Sequence, residues 1–268
     1  MKRTRLLVAG LVVVAAACSS NDNTTASTDA TITSDISAAA ADGIAEDVDV
    51  MSGMDGSIGN SLGNAVANLD GPGDFRPGLT GCSFSGGSFH CPGTLRNGLT
   101  VTRTVTFLDA GGQTETAFDP LLTASIHLVA DVSGTATHGP WTATVSRHRD
   151  FTISGLAGTE TTRTVNGSGN ETVTNSRDTT NPRAYDLTCL STVTNVVLPV
   201  RSTDDGNGWP ISGTITRACT ITVTAGPNAG KTTTRAVTVT FNGTSNPTAD
   251  INGTTFTVDL TAHTATRH

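Results

Sequence analysis

A chain of 268 residues is long enough to bury one substantial core. Its net charge of −7 argues against nucleic acid as a partner, because that recognition needs a basic patch. Aromatic residues make up only 4% and tyrosine occurs once, too few for the aromatic girdles of a membrane-spanning β-barrel.

The chain opens with Met1-Lys2-Arg3-Thr4-Arg5, followed by the apolar run Leu6 to Ala17. That run is shorter than the roughly 20 apolar residues a membrane-spanning helix needs. A basic start, a short apolar core and small residues at its end make residues 1–17 a secretory signal peptide. Ala15-Ala16-Ala17 directly before Cys18 resembles the lipobox of bacterial lipoproteins. The resemblance is confined to this leader. It implies that the Cys18 thiol takes a diacylglycerol, that the signal is cut before it, and that Cys18 becomes the first residue. The membrane is then a partner through the N-terminal lipid. The location is the cell envelope, membrane-anchored on the periplasmic or extracellular side. Two acyl chains anchor stably where one binds marginally.

Residues 18–30 follow, polar from Ser19 to Thr28, and read as a lipidated flexible tether. Between Cys18 and Phe75 there is no Lys or Arg but ten acids, whereas from Arg76 onward 13 acids meet 13 bases. Beside anionic lipid such an acidic stretch is repelled, which would hold the body off the surface.

Residues 31–69 carry a helical period. Ile32, Ile36, Ala40, Ile44, Val48, Met51, Met54, Ile58, Leu62, Val66 and Leu69 recur every three or four positions, one face of an amphipathic helix. Ser34 is a candidate N-cap. Gly43, Gly53, Gly56, Gly59 and Gly63 oppose the helix in water, but small residues permit close packing on a sheet.

From residue 70 to 268 the period becomes two. In 211–223 the odd positions are mostly apolar (Ile211, Ile215, Cys219, Ile221, Val223, with Arg217 among them), and the even ones are mostly threonine. This predicts strands with one core face and one hydroxyl face. Turn signals recur, among them Ala110–Gly112, His138–Pro140, Asn166–Gly169, Asp204–Gly208, Gly226–Gly230 and Asn252-Gly253. Short turns between neighbours make an antiparallel meander. Strands of 12 to 16 residues beside Asp204 must twist and coil. The fold class is therefore mainly β: an antiparallel meander forming a curved half-barrel or barrel, with one N-terminal amphipathic helix packed on the sheet.

Four cysteines remain besides Cys18, an even number in an exported chain. In CSFSGGSFHC a two-residue turn at Gly86-Gly87 sets Ser85 opposite Ser88 and Phe84 opposite Phe89. Cys82 then lies opposite Cys91 on a close, non-hydrogen-bonded pair. Folding residues 185–224 about Asp204 sets Cys189 opposite Cys219. The same register pairs Leu187 with Ile221, Tyr185 with Val223, Val193 with Ile215 and Val197 with Ile211. The expected disulfides are Cys82–Cys91 and Cys189–Cys219.

No motif requires a reaction. Ala225 to Thr232 nearly matches a phosphate-binding loop, but its first glycine is replaced by Ala225 and a strand follows instead of a helix. Asp204 to Gly208 lacks the bidentate Glu of a calcium loop. The six histidines form no zinc pattern, although His138 and His148 with Trp141 between them would meet near a hairpin. Arg147-His148-Arg149-Asp150 reads as a solvated strand face. Glu171, with the other strand acids, falls near turns or on polar faces, so no catalytic carboxylate pair is identified.

The resulting expectation is a non-enzymatic, cofactor-free cell-envelope lipoprotein of structural or interaction type. The alternative is a carrier or sensor of an apolar ligand or lipid. A long helix followed by a curved meander looks like the half-barrel lipoprotein carriers of bacterial envelopes, in element order only. That alternative fails if the helix fills the concave apolar face formed by Ile215, Val223, Val237, Val239 and Phe241.

Overall fold

The computed structural model describes residues 22–52, 82–95, 98–119, 121–156, 161–177, 182–199 and 209–268. A single helix, α1 (Asp22–Ser52), precedes thirteen strands among the described residues. They are β1 (Ser83–Ser85), β2 (Ser88–Thr94), β3 (Thr100–Asp109), β4 (Thr114–Glu115), β5 (Thr123–His138), β6 (Trp141–Ser154) and β7 (Thr162–Arg177). β8 (Arg183–Pro199), β9 (Ser212–Ala225), β10 (Thr232–Thr240), β11 (Thr248–Ile251), β12 (Thr254–Asp259) and β13 (Thr264–Arg267) complete the sheet. All pairings are antiparallel, and neighbours in space follow chain order, with β4 a side branch on β3. The sheet is not closed, since β1 and β13 are its two ends. The expected meander is therefore observed, as an open curved sheet carrying one helix.

Alternation along each strand explains the layering. On β9, Ile215, Cys219, Ile221 and Val223 are buried while Thr214, Thr216, Thr220 and their neighbours face solvent. Threonine suits that outer layer because its branched Cβ stiffens an extended chain and its hydroxyl meets water. The inner faces of the sheet and the helix residues Ile32, Ile36, Ala41, Ile44, Ala45, Val48 and Met51 form one continuous core. Ile36, Ile44 and Val48 belong to the stripe read from the sequence.

Three local expectations are corrected. First, α1 begins at Asp22, so the part of the expected tether from Asp22 onward is helical, and Ser34 lies inside the helix instead of capping it. Its carbonyl accepts a hydrogen bond from Ser37 Oγ at 2.7 Å. Residues 53–69 of the expected helix, Cys18 and the Asp204–Gly208 turn lie outside the described residues.

Second, Asn166–Gly169 is not a turn but the middle of β7. The register of β7 against β8 shifts there, and Asn166 Oδ1 accepts a hydrogen bond from the Asn195 backbone N–H at 2.8 Å. Glycine is required within this stretch because a Cβ at Gly169 would collide with the His148 carbonyl and the Arg149 side chain.

Third, the β8–β9 register holds for four of the five expected pairs and slips at the fifth. Val197 pairs with Ser212, not with Ile211. The cause is a bulge at Asn195 and Val196, where Asn195 (φ 48°) and Gly213 (φ 98°) take left-handed backbone conformations. Bulges bend the strand that carries them. Here the bend moves Ile211 off the core face, and it is exposed.

The two disulfides form as expected. Cys82–Cys91 and Cys189–Cys219 bridge directly opposed residues with Cα atoms 4.2 and 4.1 Å apart.

Candidate functional site

The chemistry of this molecule is concentrated under the helix. Two adjacent cross-strand rows prepare it. One runs Arg147 (β6), Glu171 (β7), Cys189 (β8), Cys219 (β9), Arg235 (β10). The other runs Arg149, Gly169, Ser191, Arg217, Val237 across the same strands. In the second row the two arginines flank a glycine and a serine. That leaves room for both guanidinium groups to converge over the sheet.

They converge on one carboxylate of the helix. Arg149 Nε donates to Asp47 Oδ1 and Arg217 Nη2 to Asp47 Oδ2, each at 2.6 Å. From below, Glu171 accepts from Arg217 Nη1 at 2.9 Å, Arg149 Nη2 at 2.8 Å and Arg147 Nε at 2.9 Å. Glu46 of the helix completes the set as an ion-pair partner of Arg147. Arg149 Nη1 also reaches the carbonyls of His148 and Asn170. Every group is nearly water-free; Arg149 is 1% exposed. Three carboxylates thus meet three guanidiniums, the condition under which buried charge is tolerated.

Burial alone would raise the carboxyl pKa of Glu171. Arg217, Arg147 and Arg149 outweigh it and hold the group far below the usual carboxylate range. For Arg149, burial lowers the pKa, but Asp47 and Glu171 raise it further, so it stays charged. Nearer the helix start, Asp35 Oδ2 accepts from Tyr185 Oη at 2.6 Å and from Arg183 Nη1 at 2.7 Å. Burial, then the bond to Asp35, pushes the Tyr185 phenol upward. Asp42 meets a ring instead of a guanidinium, with its Oδ1 2.9 Å from His263 Nδ1.

Gly43 has a specific place here. A Cβ at that position would run into the Arg217 guanidinium, which Asp47 and Glu171 hold fixed. Helix propensity alone predicts that Gly43→Ala stabilises by about 1 kcal/mol. Overpacking against a tethered group costs about 1–3 kcal/mol. The expected result is a lower melting temperature for Gly43→Ala, and a higher one would show that Arg217 yields.

Several sequence readings change. Arg147 and Arg149 are core residues, not a solvated face, while His148 and Asp150 of the same run point outward. There His148 Nδ1 lies 2.8 Å from Asp131 Oδ1 and His127 Nε2 lies 2.8 Å from Asp150 Oδ1. His148 thus stands opposite Asp131 on the outer face, whereas His138 stands opposite Trp141 at the hairpin end. Glu171 is buried at the centre of the sheet instead of lying on a polar face. The acids Asp35, Asp42, Glu46 and Asp47 are turned into the molecule, so they are not part of a repelling surface toward lipid. One reading stands: Gly226–Gly230 is the expected hairpin turn, between β9 and β10, closed by a bond from Gly230 N–H to the Val223 carbonyl at 2.7 Å.

Among the described residues, no group of three or more His, Cys, Asp or Glu is placed to hold a metal ion. None of their helices is long and apolar enough to cross a membrane. Fold and site together define an open antiparallel half-barrel whose concave face is filled by its own acidic helix. Comparison with protein families, curated proteins and solved structures returned no match.

Proposed function

We propose that the chain is a lipid-anchored cell-envelope lipoprotein of structural or interaction type, held by an acylated Cys18 on the periplasmic or extracellular side. The observation that carries the non-carrier part of this reading is the packing of α1. Ile36, Ile44 and Val48 share one core with Ile215, Val223, Val237, Val239 and Phe241, the face a carrier would leave open. The charge cluster beneath Asp47 occupies the middle of that space. An acyl chain would have to displace matched ion pairs from a dry site, which speaks against the carrier alternative. The leader supports the anchor, and two disulfides suit an oxidising compartment.

Labelled palmitate fed to an expressing bacterium is expected to mark the wild-type protein and not Cys18→Ala. Label surviving in the variant would overturn the anchor. A lipid co-purifying with the delipidated variant, found by mass spectrometry, would instead restore the carrier reading.

A further inference from the structure

A small cavity of about 100 Å³ lies beside the helix, between the β5–β6 hairpin, β7 and the turn joining β12 to β13. Trp141, Asn175, Arg147, Asp42 and His263 supply its aromatic and polar lining, and alanines supply much of the rest. The turn that carries His263 is held by Asp259. Asp259 Oδ1 accepts from the N–H groups of Thr261 and Ala262, and His263 follows in a left-handed conformation (φ 55°) beside Asp42.

The lining holds one acceptor that lacks a donor. Asn175 is 6% exposed and its Oδ1 receives no hydrogen bond from the described residues. A buried acceptor without a donor costs about 1–3 kcal/mol, so something is expected to supply one. Asp42 adds a carboxylate of which Oδ1 meets His263. Of the basic groups in the lining, Arg147 is already held by Glu46 and Glu171, and His263 faces Asp42. Glu46, Asp47 and Glu171 are offset one for one by Arg147, Arg149 and Arg217, and Asp42, beside His263, brings a fourth carboxylate. Trp141 contributes a ring, the surface that attracts a cation.

We propose that this cavity is a binding site for a short alkylammonium group. The ligand's N–H would meet Asn175 Oδ1 and the Asp42 carboxylate, and its alkyl part would lie against Trp141 and the alanines. A void of this size matches a ligand of a few heavy atoms. The site does not depend on the anchor or on the structural reading above.

The test is calorimetric titration of the full-length protein at neutral pH with n-propylammonium, 1-propanol and propionate, which share shape and differ in charge. Saturable binding of n-propylammonium, with a dissociation constant on the order of 1 mM, is expected, as ligands this small gain little per contact. Neither 1-propanol nor propionate is expected to saturate. Asn175→Leu, which removes the orphan acceptor without opening a void, is expected to weaken n-propylammonium on the order of tenfold. Because Trp141 also packs on Tyr185, it is followed in the wild type by the shift of its indole N–H resonance on titration. Equal binding of propionate, an unchanged constant in a folded Asn175→Leu, or no saturation by n-propylammonium would each overturn the proposal.

Discussion

Glu171→Gln is expected to lower the unfolding free energy by about 3–5 kcal/mol at pH 7, the cost of stripping one partner from a buried ion-pair network. Glutamine keeps the shape and two of the contacts but leaves Arg147, Arg149 and Arg217 facing only Asp47 and Glu46. The sign of the pH dependence follows from the depressed pKa of Glu171. The ordinary value for the unfolded chain is 4.5, and the folded value is far below it. The unfolded state therefore binds a proton first as the pH falls. The stabilisation from Glu171 is whole above about pH 4.5 and is lost progressively below it. Each pH unit below that point removes about 1.4 kcal/mol from this one group. Denaturant melts of wild type and variant should therefore differ most at pH 7, and the gap should narrow by about 2 kcal/mol at pH 3. A gap that stays constant with pH would mean that the arginines do not hold Glu171 ionised.

The second large effect is expected from the Cys189→Ser, Cys219→Ser pair of substitutions. The bridge closes a span of 30 residues, including the connection between the two long central strands. Loop-closure entropy for a span of that length corresponds to about 3–4 kcal/mol. The Cys82–Cys91 bridge spans nine residues within one hairpin and is expected to contribute about 1 kcal/mol less. Melting both double variants under non-reducing conditions orders the two losses. A smaller loss at Cys189–Cys219 would show that the β8–β9 ladder holds its register without the bridge.

Both predictions concern the same small region, because Glu171 stands opposite Cys189 in one cross-strand row. The disulfide half of that region is legible in the amino-acid sequence. A two-residue side-chain period makes register arithmetic possible, and the cysteine pairs agree with flanking apolar pairs. The same arithmetic fails at Val197, because nothing in the pattern of apolar residues announces the bulge at Asn195. The Asn166–Gly169 stretch misleads for a related reason. Its glycines signal a turn locally, yet Gly169 serves close packing of Arg149.

The ion cluster is visible in the sequence only as two unconnected facts. One is a stretch from Cys18 to Phe75 with ten acids and no base. The other is Arg217 among the inward-facing positions of an otherwise apolar strand face. Arg147 and Arg149 carry the same inward parity, but alternate with His148 and Asp150 and so resemble a solvated run.

Sequence alone thus determined the class of the fold, the pairing of the cysteines and the apolar stripe of the helix, because each is a short-range periodicity that one chain segment displays by itself. Where the acids of α1 go was decided by tertiary structure. Asp47 meets Arg149 and Arg217 across 102 and 170 residues of chain, and only the curl of the sheet around the helix brings them together.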